Sequence, residues 1–439
     1  MLPRSCMREK VITPMSAYPN LARRHKIAYV GTYPPKECGI ATFTLDVVNS
    51  TDLSGWRSIV FAVDDAVPSE PHPDSKVVYT IEKENRADYA RAAKLLDKHR
   101  VSLLSIQHEY GIFGGDHGEY ILDLVRAVSM PVAVTLHTVL PAPSEPQRRI
   151  LKEMEKHVAS FVVMAHKAVE LLEDVYGIAP SKIRFIPHGA PNAPFHSENS
   201  AKAKLGLEGR RVLSTFGLIS PNKGIEDAIA AMPDVVKKEP TATYLVLGQT
   251  HPVVKRKEGE WYRESLIKQV KDLGLTRNVK FVDKYLTLQE LIDYLLATDI
   301  YITPYYANPY QITSGTLAYA MVTGKVIVST PYLYAQELLA GGRGFLYPFR
   351  DSEKLSGIIE RLLTDDELYE GTRRLAYEYG RSMTWQAVGI QYTKLFTEML
   401  DERWVNHRAA MDAIAIPGLS DMVREGEGRA SVPAGVTAG

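Results

Sequence analysis

Short runs of wholly apolar residues alternate with longer stretches of helical spacing, and the alternation occurs twice along this chain. Lys26–Val30, Ser58–Val63, Lys76–Thr80, Leu103–Gln107 and Val132–Leu136 read as strands, with helices over Ala87–Arg100 and Tyr120–Val128 between them. Phe161–Val163 and Ile183–Ile186 extend the series. A run that is apolar at every position, and not at every second one, belongs to a strand covered on both faces. Strands of that kind alternating with helices point to a doubly wound α/β sheet. Residues 190–210 interrupt the pattern with Pro, Asn, Ser and Ala, and read as an interdomain linker followed by a short helix. A second series then runs through Val212–Phe216, Thr243–Leu247, Val279–Phe281, Ile300–Thr303 and Val326–Ser329. The expected fold class is α/β, with two Rossmann-like halves; element order alone leaves open whether they share a cleft. Trp385–Leu400 has apolar residues at helical spacing and reads as a closing helix, and the last thirty-odd residues, small and polar, read as a flexible tail.

A length of 439 residues accommodates two ordinary domains. Lys plus Arg and Asp plus Glu balance at 52 each, which argues against a general nucleic-acid binder. The only cysteines, Cys6 and Cys38, offer neither a zinc knuckle nor a disulfide framework, and a reducing compartment follows as the expectation. No apolar run reaches the roughly 18 residues of a membrane span, and the first 25 residues lack a signal-peptide core. A cytoplasmic protein without a membrane span is the expectation.

Four segments carry residues that suit chemistry. The loop after the first strand, Gly31 to Thr42, contains Glu37 and Gly39 and leads into a helix expected over Phe43–Val48. Loops that feed helix starts at strand ends are where open parallel sheets bind ligands, and free N–H groups there suit phosphate or a sugar hydroxyl. His137 ends the strand VAVTL, and His108 and Glu109 end another. Each reads either as a buried or local structural group or as a substrate contact. In Phe216–Gly224, Lys223 beside Gly224 opens a helix near Ile225, where a lysine can neutralise a diphosphate as a point charge. In Gln311–Lys325, the triplet Ser314-Gly315-Thr316 lies where a helix begins, so its amides and hydroxyls either converge on an anion or simply cap the helix.

In this order, with Ala165-His166, Ile186-Pro187-His188-Gly189 and Val246–Pro252, these segments resemble glycosyltransferase family 4, the retaining nucleotide-sugar transferases of GT-B fold. The likeness runs from about residue 26 to about residue 400. It implies two Rossmann-like domains facing a central cleft: an acceptor-side domain over 26–195, a donor-binding domain over 196–382, and a closing helix over 383–405 that packs back on the first. Residues 1–25 become an N-terminal extension and 406–439 a tail. The implied activity is transfer of a hexose from a UDP-, GDP- or ADP-sugar to a carbohydrate or other hydroxyl acceptor, with retention and without metal or cofactor. The resemblance places His137, Lys223 and Gln311 in catalysis. Gly39, Lys223, Ser314, Gly315 and Thr316 fall on the donor phosphates, and His137, Gln311, Ile312 and Thr313 on the sugar. Gly217, Gly248, Tyr285 and Tyr319 fall on the nucleoside, and Glu37, His108 and Glu109 on the acceptor side. Gln311 and Tyr319 stand where the family carries two glutamates, the first against the sugar and the second on the ribose, and Leu218 stands where it carries an arginine. A tyrosine cannot hold a diol as a carboxylate does. A phosphorylase-like reaction using phosphate or a sugar phosphate, and a silent carbohydrate- or nucleotide-binding protein, are the alternative readings.

Overall fold

The computed structural model describes residues 25–414, save 68, 69, 71, 196, 197 and 307–310, with backbone alone over 402–414. Cys6 and most of the N-terminal extension lie outside the described residues, as does the tail after Ile414.

The first sheet comprises β1 (Lys26–Gly31), β2 (Arg57–Asp64), β3 (Val77–Glu82), β4 (Leu103–His108), β5 (Val132–Leu136), β6 (Ser160–Val163) and β7 (Ile183–Phe185), in the order β3-β2-β1-β4-β5-β6-β7. The second comprises β8 (Arg211–Phe216), β9 (Ala242–Leu247), β10 (Val279–Val282), β11 (Ile300–Thr303), β12 (Val326–Ser329) and β13 (Phe345–Leu346), in the order β10-β9-β8-β11-β12-β13. The pairings are parallel, as between β1 and β4 and between β8 and β9. Every residue of β4, β5, β6 and β9 is buried, which is why these strands are mostly apolar on both faces. In each sheet the chain winds outward one way and then restarts on the other side of the first strand. Loops after β1 and β4, and after β8 and β11, therefore diverge and leave a crevice between them.

Each expected strand lies within two residues of an observed one; β13 has only two residues and carries no periodic signal. One helix differs more. The element expected over Phe43–Val48 spans Gly39–Asp52, so Gly39 opens the helix and is not part of the loop. It buries Ala41, Phe43, Thr44, Val47, Val48 and Thr51, a stripe at three- and four-residue spacing.

The segment 190–210 carries little apolar pattern because buried ion pairs anchor much of it. Lys202, in the helix Asn199–Leu205, reaches Asp299 at 2.7 Å, and Glu198 receives Lys325 at 3.2 Å and Arg373 at 2.8 Å. Buried charges persist only when paired, and removing one partner costs several kcal/mol, about 3–5. The helix Trp385–Ile414 lies on the first sheet, where Trp385, Val388, Tyr392 and Phe396 pack with Ile27, Tyr29, Phe43 and Val47. Tyr392 Oη meets Thr135 Oγ1 at 3.0 Å beneath it. Two passes of the chain cross side by side at the junction: Ala190 N donates to Met383 O at 2.8 Å, and Trp385 N to Ala190 O at 2.9 Å. Apolar contact continues across the seam from Ile106 and Val163 to Ile312, Leu317 and Tyr319. Among the described residues no helix is long and apolar enough to cross a membrane.

Candidate active site

The first-domain wall of the crevice is the start of the helix Gly39–Asp52. Cys38 at its N-cap is extended and makes no side-chain capping bond, and a Cβ on Gly39 would meet nothing within 4 Å. The first-turn amides therefore face open space with the positive end of the helix behind them. One turn along, the Phe43 ring stands edge-on to His137 at 4.8 Å and to His188 at 4.9 Å. His137 Nε2 lies 3.1 Å from Gln107 Oε1, so Nε2 carries the proton. Burial first, then the neighbouring His188 and His108, push its pKa down to about 3. His188 Nδ1 donates to Gly189 O at 2.7 Å, which leaves Nε2 as an acceptor, and burial holds its pKa near 4. Both imidazoles are neutral near pH 7 and offer hydrogen bonds, not charge.

His108 does not reach the crevice. Its ring is fully enclosed, stacked on Phe113 and edge-on to Tyr110, and neither nitrogen has a hydrogen-bond partner. The acceptor-side expectation for His108 is corrected accordingly: a strand buried on both faces carries its last side chain into the core. Glu109 accepts from Gly111 N at 2.7 Å and shapes a turn, while Glu37 accepts from Gln249 Nε2 of the second domain, also at 2.7 Å.

The second-domain wall begins with two glycines at strand ends. Gly217 (φ 137°) and Gly248 (φ 129°) have backbones that L side chains rarely adopt, and a Cβ on Gly248 would lie 2.1 Å from Gly217 O. Lys223 follows in a short turn whose last residue, Gly224, opens the helix Ile225–Lys238. Its Nζ sits 3.9 Å above the Tyr305 ring. Tyr305 Oη meets Thr316 Oγ1 at 3.1 Å, and Thr316 Oγ1 meets Ser314 Oγ at 3.1 Å. Ser314 caps the helix Gly315–Val322 through Leu317 N. Lys223, Tyr305 and the Ser314-Gly315-Thr316 turn thus form one group. A narrow hollow, without room for a water molecule, lies beside it against Gly217, Leu218 and Lys223. Leu218 brings no charge there, so Lys223 is the cation lining that hollow.

The remaining expected residues divide. Gln311 turns its Nε2 onto Thr313 O at 2.7 Å, and Thr313 Oγ1 reaches Met164 Sδ of the first domain at 3.8 Å. The Ile312 side chain belongs to the core at 3% exposure, which corrects its assignment as a sugar contact through the side chain. Tyr319 is buried, with its ring 6.0 Å from Phe216, whereas Tyr285 is 45% exposed.

The two walls meet. A Cβ on Gly315 would lie 3.2 Å from His188 Nε2, so the imidazole next to His137 touches the anion turn. Glu337 of the second domain accepts from His166 N at 2.8 Å and Lys167 N at 3.1 Å of the first. The Asp46 carboxyl lies near enough to Tyr319 across the seam to raise the pKa of its phenol, after burial. Sequence reasoning assigned no role to Phe43, Asp46, Tyr305 or Glu337. His188 was visible within Ile186–Gly189, but its contact with Gly315 depends on how the domains close. Among the described residues no three His, Cys, Asp or Glu side chains converge as a metal-ligand set.

Residues 38–191 match the family Glycosyltransferase Family 4, and residues 197–381 match Glycosyl transferases group 1. The chain is similar to a D-inositol 3-phosphate glycosyltransferase of Segniliparus rotundus, 28% identical over 33% of this chain and 35% of that one. It is also similar to an alpha-monoglucosyldiacylglycerol synthase of Streptococcus pneumoniae, 22% identical over 78% of this chain and 79% of that one. The chain thus spans only about a third of the first of these relatives. Its fold is that of the sucrose-phosphate synthase of Thermosynechococcus elongatus, with a TM-score of 0.70 at 17% identity over 86% of this chain and all of that one. Anabaena HepE, solved with UDP and glucose, superposes with a TM-score of 0.65 at 17% identity over 85% of this chain and all of that one. With consecutive family matches over both domains and two parallel sheets facing one cleft, the chain belongs to the family-4-type glycosyltransferases of GT-B fold.

Proposed function

We propose that the chain transfers a hexosyl group from a nucleoside diphosphate sugar to a hydroxyl acceptor, with retained configuration and without a metal ion. The observation that supports this is the convergence of Lys223, the Ser314-Gly315-Thr316 turn, and the paired His137 and His188 on one cleft. Breaking the glycosidic bond leaves a diphosphate whose growing charge must be met. Lys223 and the helix starts at Gly39 and Gly315 supply positive potential in a site partly shielded from water. The neutral His137 is suited to hydrogen-bond a sugar hydroxyl while the sugar carbon takes on positive character. Retention rests on the family likeness.

The relatives' names make phosphorylated cyclitols and glycosylated lipids the first acceptors to test. UDP, which accompanies glucose in the Anabaena structure, heads the nucleotides. A panel of UDP-, GDP- and ADP-hexoses, inorganic phosphate and sugar phosphates, read by thermal shift and then turnover, selects the donor. Lys223→Ala should lower turnover roughly a hundredfold or more while the protein stays folded, and EDTA should leave turnover unchanged. Near-normal turnover of the lysine variant would remove Lys223 from the mechanism. Turnover driven only by inorganic phosphate or a sugar phosphate would convert the reading to phosphorolysis.

A further inference from the structure

Tyr305 stands where the two anion-binding parts of the second domain meet. It follows β11, and its ring is buried and stacked on Tyr332, with centroids 5.7 Å apart and planes 16° from parallel. Its backbone is held as well: Thr330 Oγ1 donates to Tyr305 O, and the hydroxyl of the next residue, Tyr306, donates to Glu226 in the helix Ile225–Lys238. A Cβ on Gly224 would lie 2.0 Å from Pro304 O, so the loops after β8 and β11 touch backbone to backbone. On this fixed ring two contacts converge. Lys223 Nζ sits 3.9 Å above the face, and Tyr305 Oη at the edge meets Thr316 Oγ1 at 3.1 Å.

Among the described residues Lys223 is in no ion pair, and the ring is its partner. A carboxylate in that place would hold the ammonium and also cancel the charge that an anion has to meet. An aromatic face attracts the cation through its quadrupole, adds no net charge and leaves N–H groups free. The edge of the ring is tied to the helix start. Thr316 Oγ1 lies 3.1 Å from Ser314 Oγ as well as from Tyr305 Oη, and Ser314 Oγ accepts from Leu317 N. One side chain thus joins the cation that follows β8 to the turn that follows β11.

We propose that Tyr305 is a positioning residue of this site: its ring face holds the Lys223 ammonium without neutralising it, and its hydroxyl fixes that cation relative to the Ser314-Gly315-Thr316 turn. The assignment rests on the glycosyltransferase reading above and adds to it the group that makes the two anion contacts act together. With Tyr305 and Ser314 both donating to Thr316 Oγ1, the Thr316 hydroxyl keeps its own proton for a phosphate oxygen. A ligand with two phosphoryl groups engages the cation and the turn at once, whereas a ligand with one engages only one of them. Tyr305 therefore bears on the diphosphate and hardly on the nucleoside.

The test is calorimetric titration of the full chain with UDP, GDP and ADP, and then with the monophosphate of whichever nucleoside binds best. Tyr305→Leu, which loses both face and hydroxyl, should weaken the diphosphate roughly tenfold and the monophosphate less than about threefold. In a Lys223→Ala background the same change should cost the diphosphate less than about threefold, since the ring then has no cation to hold. Tyr305→Phe keeps the ring and its stack; it should weaken the diphosphate roughly threefold, and change nothing once Thr316→Val has removed the hydroxyl's partner. A merely structural role would lower both ligands alike and persist in both backgrounds. Equal losses for the two ligands, or undiminished losses in the Lys223→Ala and Thr316→Val backgrounds, overturn the Tyr305 assignment; diphosphate binding that Lys223→Ala still weakens leaves the transferase standing. Absence of any nucleotide binding to wild type removes both. If Tyr305→Leu does not fold, Tyr305→Phe decides alone, and full affinity for the diphosphate overturns the assignment.

Discussion

Glu337 offers a direct test of how the cleft is held shut. The helix His166–Asp174 begins at the wall of the first domain, and Ala165 at its N-cap has no side chain able to cap it. The cap comes from the other domain: both carboxylate oxygens of Glu337 accept first-turn amides, at 2.8 and 3.1 Å. A capping side chain contributes about 1 kcal/mol, and an anion at a helix N-terminus another 0.3–1 kcal/mol where solvent has access. These bonds are on the surface and screened, so the pair is worth about 2 kcal/mol to the closed arrangement, roughly thirtyfold in the ratio of closed to open. Glu337→Ala forfeits both bonds. Glu337→Gln keeps one acceptor and forfeits about half the energy, roughly fivefold.

Amide hydrogen exchange reads this where it occurs. Peptides covering 166–174 should exchange roughly thirtyfold faster in Glu337→Ala and roughly fivefold faster in Glu337→Gln, at unchanged global stability. Acceleration that spreads to the Glu37 loop and to Ala190 would identify the opening as motion of whole domains, since those segments also bridge the seam. Unchanged exchange at 166–174 in the alanine variant would refute the clasp. Acceleration confined to the first-turn amides would reduce it to a local cap.

Three further outcomes follow from the same geometry. Gly248→Ala places a Cβ 2.1 Å from Gly217 O at a φ of 129°, and should cost about 3 kcal/mol or more in denaturant unfolding; a cost under 1 kcal/mol would mean that the two strand ends are not held together. His108, His137 and His188 have folded pKa values pushed down to about 4, 3 and 4 by burial, so the unfolded chain binds more protons below their ordinary value of 6.5. Stability is therefore full above about pH 6.5 and is lost as pH falls toward 4; His108→Phe, which removes a ring with no hydrogen-bond partner, should flatten that slope by about one proton in urea unfolding at graded pH. Tyr319→Glu puts a second carboxylate near Asp46, and the like charges should lower the midpoint of urea unfolding at neutral pH. Adding Asp46→Asn should restore most of the lost stability, and purely additive losses would deny that the two side chains face each other.

Legibility followed burial. β4, β5 and β9 could be read because parallel strands covered on both faces are mostly apolar, and Ser314 could be read as a cap because an oxygen before a helical run has few other uses. The helix at Gly39 was placed late, since a glycine that starts a helix carries the same letter as one that bends a loop. The short helix after the linker was expected, but its anchoring was not, because Lys202 and Glu198 hold it through buried charge and not through an apolar stripe. What could not be read was which residue faces which across the seam. His108 and His137 both end strands, yet one lies in the core and the other under Phe43, and a single side-chain alternation decides between them. Tyr305 and Glu337 acquire partners only when loops far apart in sequence fold against each other.

Leu218, Gln311 and Tyr319 strip the second domain of an arginine and two glutamates that the family likeness would place there, and the cleft distributes its charge between the domains instead. Lys223 and the amides of the Gly315 helix stand on one side, while Glu37 and Asp46 stand on the other. In the proposed reaction a ligand seated only on the second domain meets a cation and helix amides suited to its diphosphate, but not the imidazoles of His137 and His188 for its hydroxyls. Those bonds form only when the first domain arrives. Closure is then rewarded by the ligand itself, in proportion to the hydroxyls it presents, and the Glu337 clasp need supply only the remainder. Selecting a donor and completing the site become one step. A nucleotide with correctly spaced phosphates and wrongly placed hydroxyls would bind to the open form without assembling Lys223 and His137 around one departing group.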